Sequence, residues 1–319
     1  MYKSTLYFAA IILIPLFIAC KKDIEFNPKN QSPFLVMNSY LDPDNVLSVS
    51  VSQSASITEK LTPNIVSDAD VKVYVNEKLL ETLQFDAVSS RYLGVVKPSV
   101  GKEYKITVVK DGFLAIEATT VIAPAPEILK CTIVKDNHYT GRANATIIFK
   151  DPAGVKNFYR LVVKNEDVFS EKPDWAQNDS NFSDGQWIYS SIPGFWSTDP
   201  NLNWDNGSSS AGLFDDVPQN IFHIFNDDLI DGKEYSLFFS YSLSAYPEAN
   251  NRTIIYLRAI NEDLHKYLKT YSAQYYFGDD FLLEPIQVYS NVKNGGGILG
   301  SYNANKFIIN VDDLVVKQE

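Results

Sequence analysis

The chain has 319 residues, 45% of them apolar, and a formal net charge of −11. That apolar content can bury a large core, and the length suggests two domains. The acidic balance excludes a nucleic-acid binder, which needs a basic stripe; its plain reading is solubility and repulsion from a polyanionic cell surface.

Lys3 is the only charge before Cys20, and Leu6 to Ala19 is almost wholly apolar, broken by Pro15. A positive start, a short apolar run and a small residue before a cleavage point make a secretory signal. The run is too short to span a bilayer, which takes about 20 apolar residues. With Cys20 directly after Ala19 it resembles a bacterial lipoprotein signal, although Phe17 stands where Leu is usual. Residues 1–19 are therefore expected to be removed and Cys20 to be acylated, which tethers the protein to a membrane by lipid. The basic-acidic run Lys21-Lys22-Asp23-Ile24-Glu25 resembles a surface-export signal of Bacteroidetes lipoproteins. Residues 20–32 read as a flexible tether. The only other cysteine is Cys131, so the mature chain can form no internal disulfide. In a strand-like run Cys131 reads as a small apolar residue.

From Pro33 onward the dominant period is two. Val71, Val73 and Val75 alternate with Lys72, Tyr74 and Asn76. Tyr104, Ile106 and Val108 alternate with Lys105 and Thr107, and Tyr235, Leu237, Phe239, Tyr241 and Leu243 repeat the pattern. Alternation gives each strand one face for a core, and turn clusters separate the runs at Asp42–Asn45, Pro98–Glu103, Lys110–Gly112 and Asp151–Gly154. The expected fold is all-β, with two immunoglobulin-like β-sandwich domains in tandem. Pro124 and Pro126 place the boundary, with one sandwich over residues 33–123 and the second over 127–319. "GKEY" occurs at Gly101 and again at Gly232, each time opening a strand behind a turn glycine.

The second domain carries a long insertion over residues 170–225, rich in Asn, Asp, Ser and Gly. It holds all four tryptophans: Trp175, Trp187, Trp196 and Trp204. So many rings argue against disorder. Three readings stay open: the insertion's own small core, an interface for a partner, or a stacking platform for a glycan or small ligand. One amphipathic helix follows. Asn261 can cap it, Glu262 and Asp263 suit its positive end, and Leu264, Tyr267, Leu268, Tyr271 and Tyr275 form an apolar stripe that Gly278 ends.

Chemical motifs fail one by one. Gly295, Gly297 and Gly300 spell G-x-G-x-x-G, but no helix pattern follows, so the dinucleotide reading falls. The glycines are expected to form a tight turn between two late strands and to permit close backbone approach. His138, His223 and His265 are scattered. "GSSSAG" (Gly207–Gly212) misses a nucleophile elbow, with Ala211 where Gly belongs. Asp215-Asp216, Asp227-Asp228 with Asp231, and Asp279-Asp280 could ligate calcium, but they lack EF-hand spacing and read first as solvated turn acids. No metal and no cofactor is expected.

The stretches "LVMNSYL", "SDADVKVYV" and "SRYLGVVKPSVGKEYKITV", and above all "FLLEPIQVYSNVKNGGGILGSY" at Phe281–Tyr302, resemble domain-of-unknown-function family 4249 of Bacteroidetes lipoproteins. The mark is carried by Glu284, Pro285, Tyr289, Ser290, Asn291, Gly295 and Gly297; Leu299 replaces the family's usual aromatic. The resemblance implies a surface accessory of TonB-dependent outer-membrane receptors and carries no catalytic residue. The expected function is thus a non-enzymatic, outer-membrane, lipid-anchored accessory subunit of a nutrient-import complex. The alternatives are a glycan-, peptide- or metal-complex-binding module using the Trp-rich loop, and a surface hydrolase with a cleft carboxylate pair.

Overall fold

A computed structural model describes residues 32–55, 64–176, 187–203, 219–246, 248–277 and 286–315. Cys20, Trp204, Glu284, Pro285, the Gly207–Gly212 run and the acids at 215–216 and 279–280 lie outside the described residues. The fold is all-β. In the first half the strands are β1 (Leu35–Leu41), β2 (Ser48–Gln53), β3 (Asn64–Ile65), β4 (Asp70–Val75), β5 (Lys78–Thr82), β6 (Gln84–Asp86), β7 (Arg91–Leu93), β8 (Glu103–Val109) and β9 (Ile116–Val121). In the second half they are β10 (Glu127–Lys135), β11 (Arg142–Lys150), β12 (Phe158–Phe169), β13 (Trp187–Ser191), β14 (Phe195–Trp196), β15 (Ile224–Asn226), β16 (Glu234–Ser242), β17 (Ala249–Ile260) and β18 (Gly296–Asn310). One helix, α1 (Glu262–Phe277), sits between β17 and β18.

The alternation read from the sequence is the alternation of burial. Val71, Val73, Tyr104, Ile106 and Val108 turn inward to one core, and Ile147, Phe149, Leu237, Phe239 and Tyr241 to another. Both GKEY glycines have positive φ, 74° at Gly101 and 69° at Gly232, and each ends a turn that opens a strand. Sheet β5-β4-β8-β9 covers the first core, and sheet β10-β11-β16-β14 the second.

A single ten-stranded sheet backs both. It runs β13-β12-β17-β18-β1-β2-β7-β6, with β15 on β12 and β3 on β2. Strand β18 makes the join. Its first part pairs in parallel with β1, from Val36 opposite Gly296 to Leu41 opposite Ser301. Its remainder pairs antiparallel with β17, from Tyr302 opposite Ile260 to Asn310 opposite Arg252. Leu299 lies in the first core and Ile309 packs against the second. A division at residues 123–127 therefore leaves β18 serving both halves.

The expected turn at the glycines is displaced. The bend lies at Asn294–Gly295, and Gly296, Gly297 and Gly300 are inside β18. A Cβ at Gly295 would lie 2.5 Å from the Leu35 carbonyl oxygen, and one at Gly297 only 2.1 Å from that of Met37. Gly297 also has φ of 98°, a conformation that L side chains rarely adopt. Strand β1 can reach β18 only because these Cβ atoms are missing.

The rest of the family mark clamps this joint. The Asn291 amide exchanges hydrogen bonds with the backbone of Leu299, donating to its carbonyl at 2.9 Å and accepting its N–H at 3.0 Å. It also donates to Asp263 on α1. The Tyr289 hydroxyl donates to Asp263 at 2.5 Å, and its N–H donates to the Thr270 hydroxyl. Ser290 accepts the N–H of Val292. Asn261 caps α1 as expected, accepting the Leu264 N–H, and also accepts the N–H of Ser301. Buried Ser301 donates in turn to the Val121 carbonyl of β9. Helix α1 buries Leu264 and Leu268 against Ile224 and Ile260, while Tyr271 and Tyr275 stay exposed.

Gly297→Ala should cost at least about 2 kcal/mol, from positive φ plus a contact with backbone that cannot yield. Urea unfolding measures it. A variant within about 0.5 kcal/mol of the parent would show that β18 and β1 do not approach this closely.

Candidate binding groove

Strand β12 is the outer part of the second half's share of the large sheet. Strand β15 pairs with it over Phe158–Arg160, and β13 over Asn165–Phe169. Between these two no strand of the described residues pairs with its edge, and a notch lies there. The turn that walls the notch is held locally. The buried Asn220 amide donates to the carbonyls of Leu202 and Ile224 and accepts the Ile224 N–H. His223, at φ of 50°, takes the Leu161 N–H on its carbonyl and stacks its ring 3.7 Å from Phe195. Burial, then the charge of Arg160, pushes the pKa of His223 down to about 4, so the ring is neutral at physiological pH.

Three cavities adjoin here. The notch holds about 280 Å³ and is bordered by Arg160, Lys164, Arg258, Phe195, Phe222 and His223. On one side lies a cavity of about 750 Å³ beside Arg142, Trp196, Asn203 and Ser240. On the other, about 530 Å³ opens against Tyr40, Phe222, Tyr267, Tyr271 and Tyr275. Together they form an open groove along one side of the second half. None of its described lining residues is a carboxylate. The Arg142 guanidinium stacks over Trp196 at 3.9 Å and Tyr139 at 4.3 Å, and Arg160 lies 5.2 Å from the Phe222 ring.

The tryptophans divide. Trp187 is 2% exposed and packs with Phe169, Trp175 and Tyr189, the Trp175–Trp187 centroids being 4.9 Å apart, and Tyr246 closes the cluster against Phe169, Trp175 and Tyr189. This is the insertion's own small core, the first of the three readings. Trp175 forms its exposed rim. Among the described tryptophans only Trp196, 45% exposed, faces the groove. Sequence reasoning missed Arg160, Lys164 and Arg258. Their parity on β12 and β17 placed them opposite the core residues, but their meeting depends on a pairing register that no local pattern reveals.

Other titratable groups are structural. Carboxylate oxygens of Asp151, Asp227 and Asp231 lie within 4.8 Å of one another, the one metal-like grouping among the described residues. Each already ties its own turn to the facing one. Asp151 accepts the Tyr159 hydroxyl and the Gly232 N–H, Asp231 the Gly154 N–H, and Asp227 the Asn157 N–H beside Lys156. They are turn acids, though two of the three are buried rather than solvated. Cys131 is half-buried in β10, and burial pushes its thiol up to about 11. Asp167, fully buried beside the aromatic cluster, has no well-formed hydrogen bond to either oxygen. Burial raises its pKa, and the nearby Ser244 hydroxyl offsets this only in part.

Fold and groove thus define an all-β protein with an open cationic and aromatic groove. Residues 21–308 match the family described as Domain of unknown function (DUF4249), and the chain belongs to that family. No protein of curated description matches it. Among solved structures it is similar to the one titled "Crystal structure of Putative membrane anchored protein from Corynebacterium diphtheriae", with 9% identity and a TM-score of 0.21. That match covers 71% of this chain and 55% of the other, and at such a score it carries no argument.

Two outcomes follow. Trp187→Ala should destabilise by about 3–5 kcal/mol, as loss of a buried aromatic does, whereas Trp196→Ala should stay within about 1 kcal/mol; equal effects in urea unfolding would contradict this division. For Asp167 the folded-state pKa is raised, so its contribution to stability falls as pH rises through that pKa. Asp167→Asn should therefore gain thermal stability over the parent from acid toward neutral pH; a gap that narrows or reverses would refute the buried-acid assignment.

Proposed function

We propose that the protein is a non-enzymatic binding subunit: a lipoprotein anchored through Cys20 in the outer membrane, displayed at the cell surface, and accessory to a TonB-dependent nutrient-import receptor. The observation that carries a binding role is the open groove, walled by rings and cations. Acid–base hydrolysis by a carboxylate pair would need acids facing across a cleft, and the described groove lining offers none. The chain belongs to the family over residues 21–308, and the lipoprotein and receptor context is what the family resemblance of its sequence implies. Among the described residues no helix is long and apolar enough to cross a membrane, and the leading segment ending at Ala19–Cys20 supports a lipid anchor instead. Confinement to the membrane plane raises the effective concentration of the subunit near a receptor.

The test is extraction of the tagged protein from native membranes in mild detergent after cross-linking. A TonB-dependent β-barrel receptor should be recovered with it, and Cys20→Ser should release the protein from the membrane fraction and lose the receptor. Recovery of the lipoprotein alone, or unchanged fractionation of the variant, would overturn the assignment.

A further inference from the structure

Arg160 and Arg258 are direct cross-strand partners in the β12–β17 ladder. Like charges in that position destabilise a sheet, so their presence calls for a compensating charge. Among the described residues there is none in salt-bridge contact with either. Arg160 makes one hydrogen bond, from Nε to the Phe222 carbonyl at 3.3 Å. Arg258 lies over Tyr302 at 4.3 Å and Tyr256 at 5.2 Å, and its buried Nε–H has no acceptor. Asp42 lies near Tyr302, but its carboxylate is already taken by the N–H groups of Asp44 and Asn45 and by the Asn45 amide. Lys164, four residues along β12 on the same face, adds a third cation to the notch. Burial, then Arg258, depresses the Arg160 pKa to about 10, so it stays charged at neutral pH. In a chain of net charge −11, three clustered cations without a carboxylate partner among the described residues form a site suited to an external anion.

We infer that the notch between β13 and β15 binds the carboxylate of a small organic acid through Arg160, Arg258 and Lys164, with the acid's apolar or aromatic body on the tyrosine wall of α1. Paired guanidinium forks suit the two oxygens of a carboxylate. The notch of about 280 Å³ takes the head group. Arg160 also borders the adjoining cavity of about 530 Å³, where Tyr40, Tyr267, Tyr271 and Tyr275 offer ring surface. The Tyr40 and Tyr267 hydroxyls lie beside each other, and their rings line the cavity. This inference rests on the binding role proposed above and names its ligand class. It does not depend on the receptor, so failure here leaves the co-purification result standing, and the reverse also holds.

The experiment is calorimetric titration of the full chain in detergent, against a micelle blank, with 4-phenylbutyrate, its neutral analogue 4-phenylbutanol, and inorganic phosphate. Phenylbutyrate should bind, and raised salt should weaken it. The alcohol and phosphate should each bind at least about tenfold more weakly, the loss expected when a charged hydrogen-bond set or the apolar contact is removed. Arg160→Gln and Arg258→Gln should each weaken phenylbutyrate about tenfold or more. Their melting temperatures without ligand should equal or exceed the parent's, because one of two opposed like charges is gone. Absence of phenylbutyrate binding, equal binding of the alcohol, or parental affinity in both variants would overturn the site. Phosphate binding as tight as phenylbutyrate would overturn the tyrosine wall as part of it. A fall in melting temperature in both variants with unchanged affinity would make the arginines structural.

Discussion

The parallel contact of β18 with β1 is the constraint on which the rest depends. Without it the molecule is two sandwiches joined by Pro124-Ala125-Pro126. With it, one ten-stranded sheet runs behind both cores, and the segment before β18 is drawn across from α1 to the first half. The contact is a backbone approach so close that Met37 and Leu35 carbonyls occupy the space of two Cβ atoms. Parallel pairing joins residues some 260 positions apart in sequence, as the Val36–Gly296 pair shows. Such a contact closes late and has little local help. The clamps around it supply that help: Asn291 on Leu299, Tyr289 on Asp263, and Ser301 bonded to both Asn261 and Val121.

The groove inherits its geometry from the same joint. The β17–β18 register brings Arg258 opposite Ala304, and the β12–β17 register on the other side of β17 brings Arg160 opposite Arg258. Docking α1 through Asp263 and Asn261 turns Tyr267 and Tyr271 toward Tyr40 of β1, so a residue of the first half helps to wall a cavity of the second. Helix stability itself asks for none of this: Leu264 and Leu268 do the burying, and the outer tyrosines are left for the groove.

Period-two patterns, turn glycines and an Asn cap are local, so the strands, the GKEY turns and α1 were legible from the sequence. The G-x-G-x-x-G run was half legible. Close backbone approach was inferable from the glycines alone, but the partner was not, so a turn was expected where a strand continues. Trp187 shows the same limit in the insertion. Tryptophan content marks an ordered segment, but only the pairing of β13 with β12 decides that this ring goes in while Trp196 stays out. The arginines were invisible for a related reason. Each sits at an ordinary outward position of an ordinary strand, and their significance arises only when the register sets them face to face without a carboxylate.

The described part of the tail mark is spent on structure. The side chains of Tyr289, Ser290 and Asn291 are engaged within the chain, and the glycines are packed against β1. Residues so committed have little left to offer a ligand. The proposed recognition is therefore placed on surfaces the mark does not include, where charge and ring area remain available. The groove over β12 is such a surface: its like-charged pair opposes folding unless something arrives to neutralise it. On the proposed binding role, a fold that keeps so costly a pair at the edge of a cavity would hold, without ligand, part of the electrostatic driving force for binding.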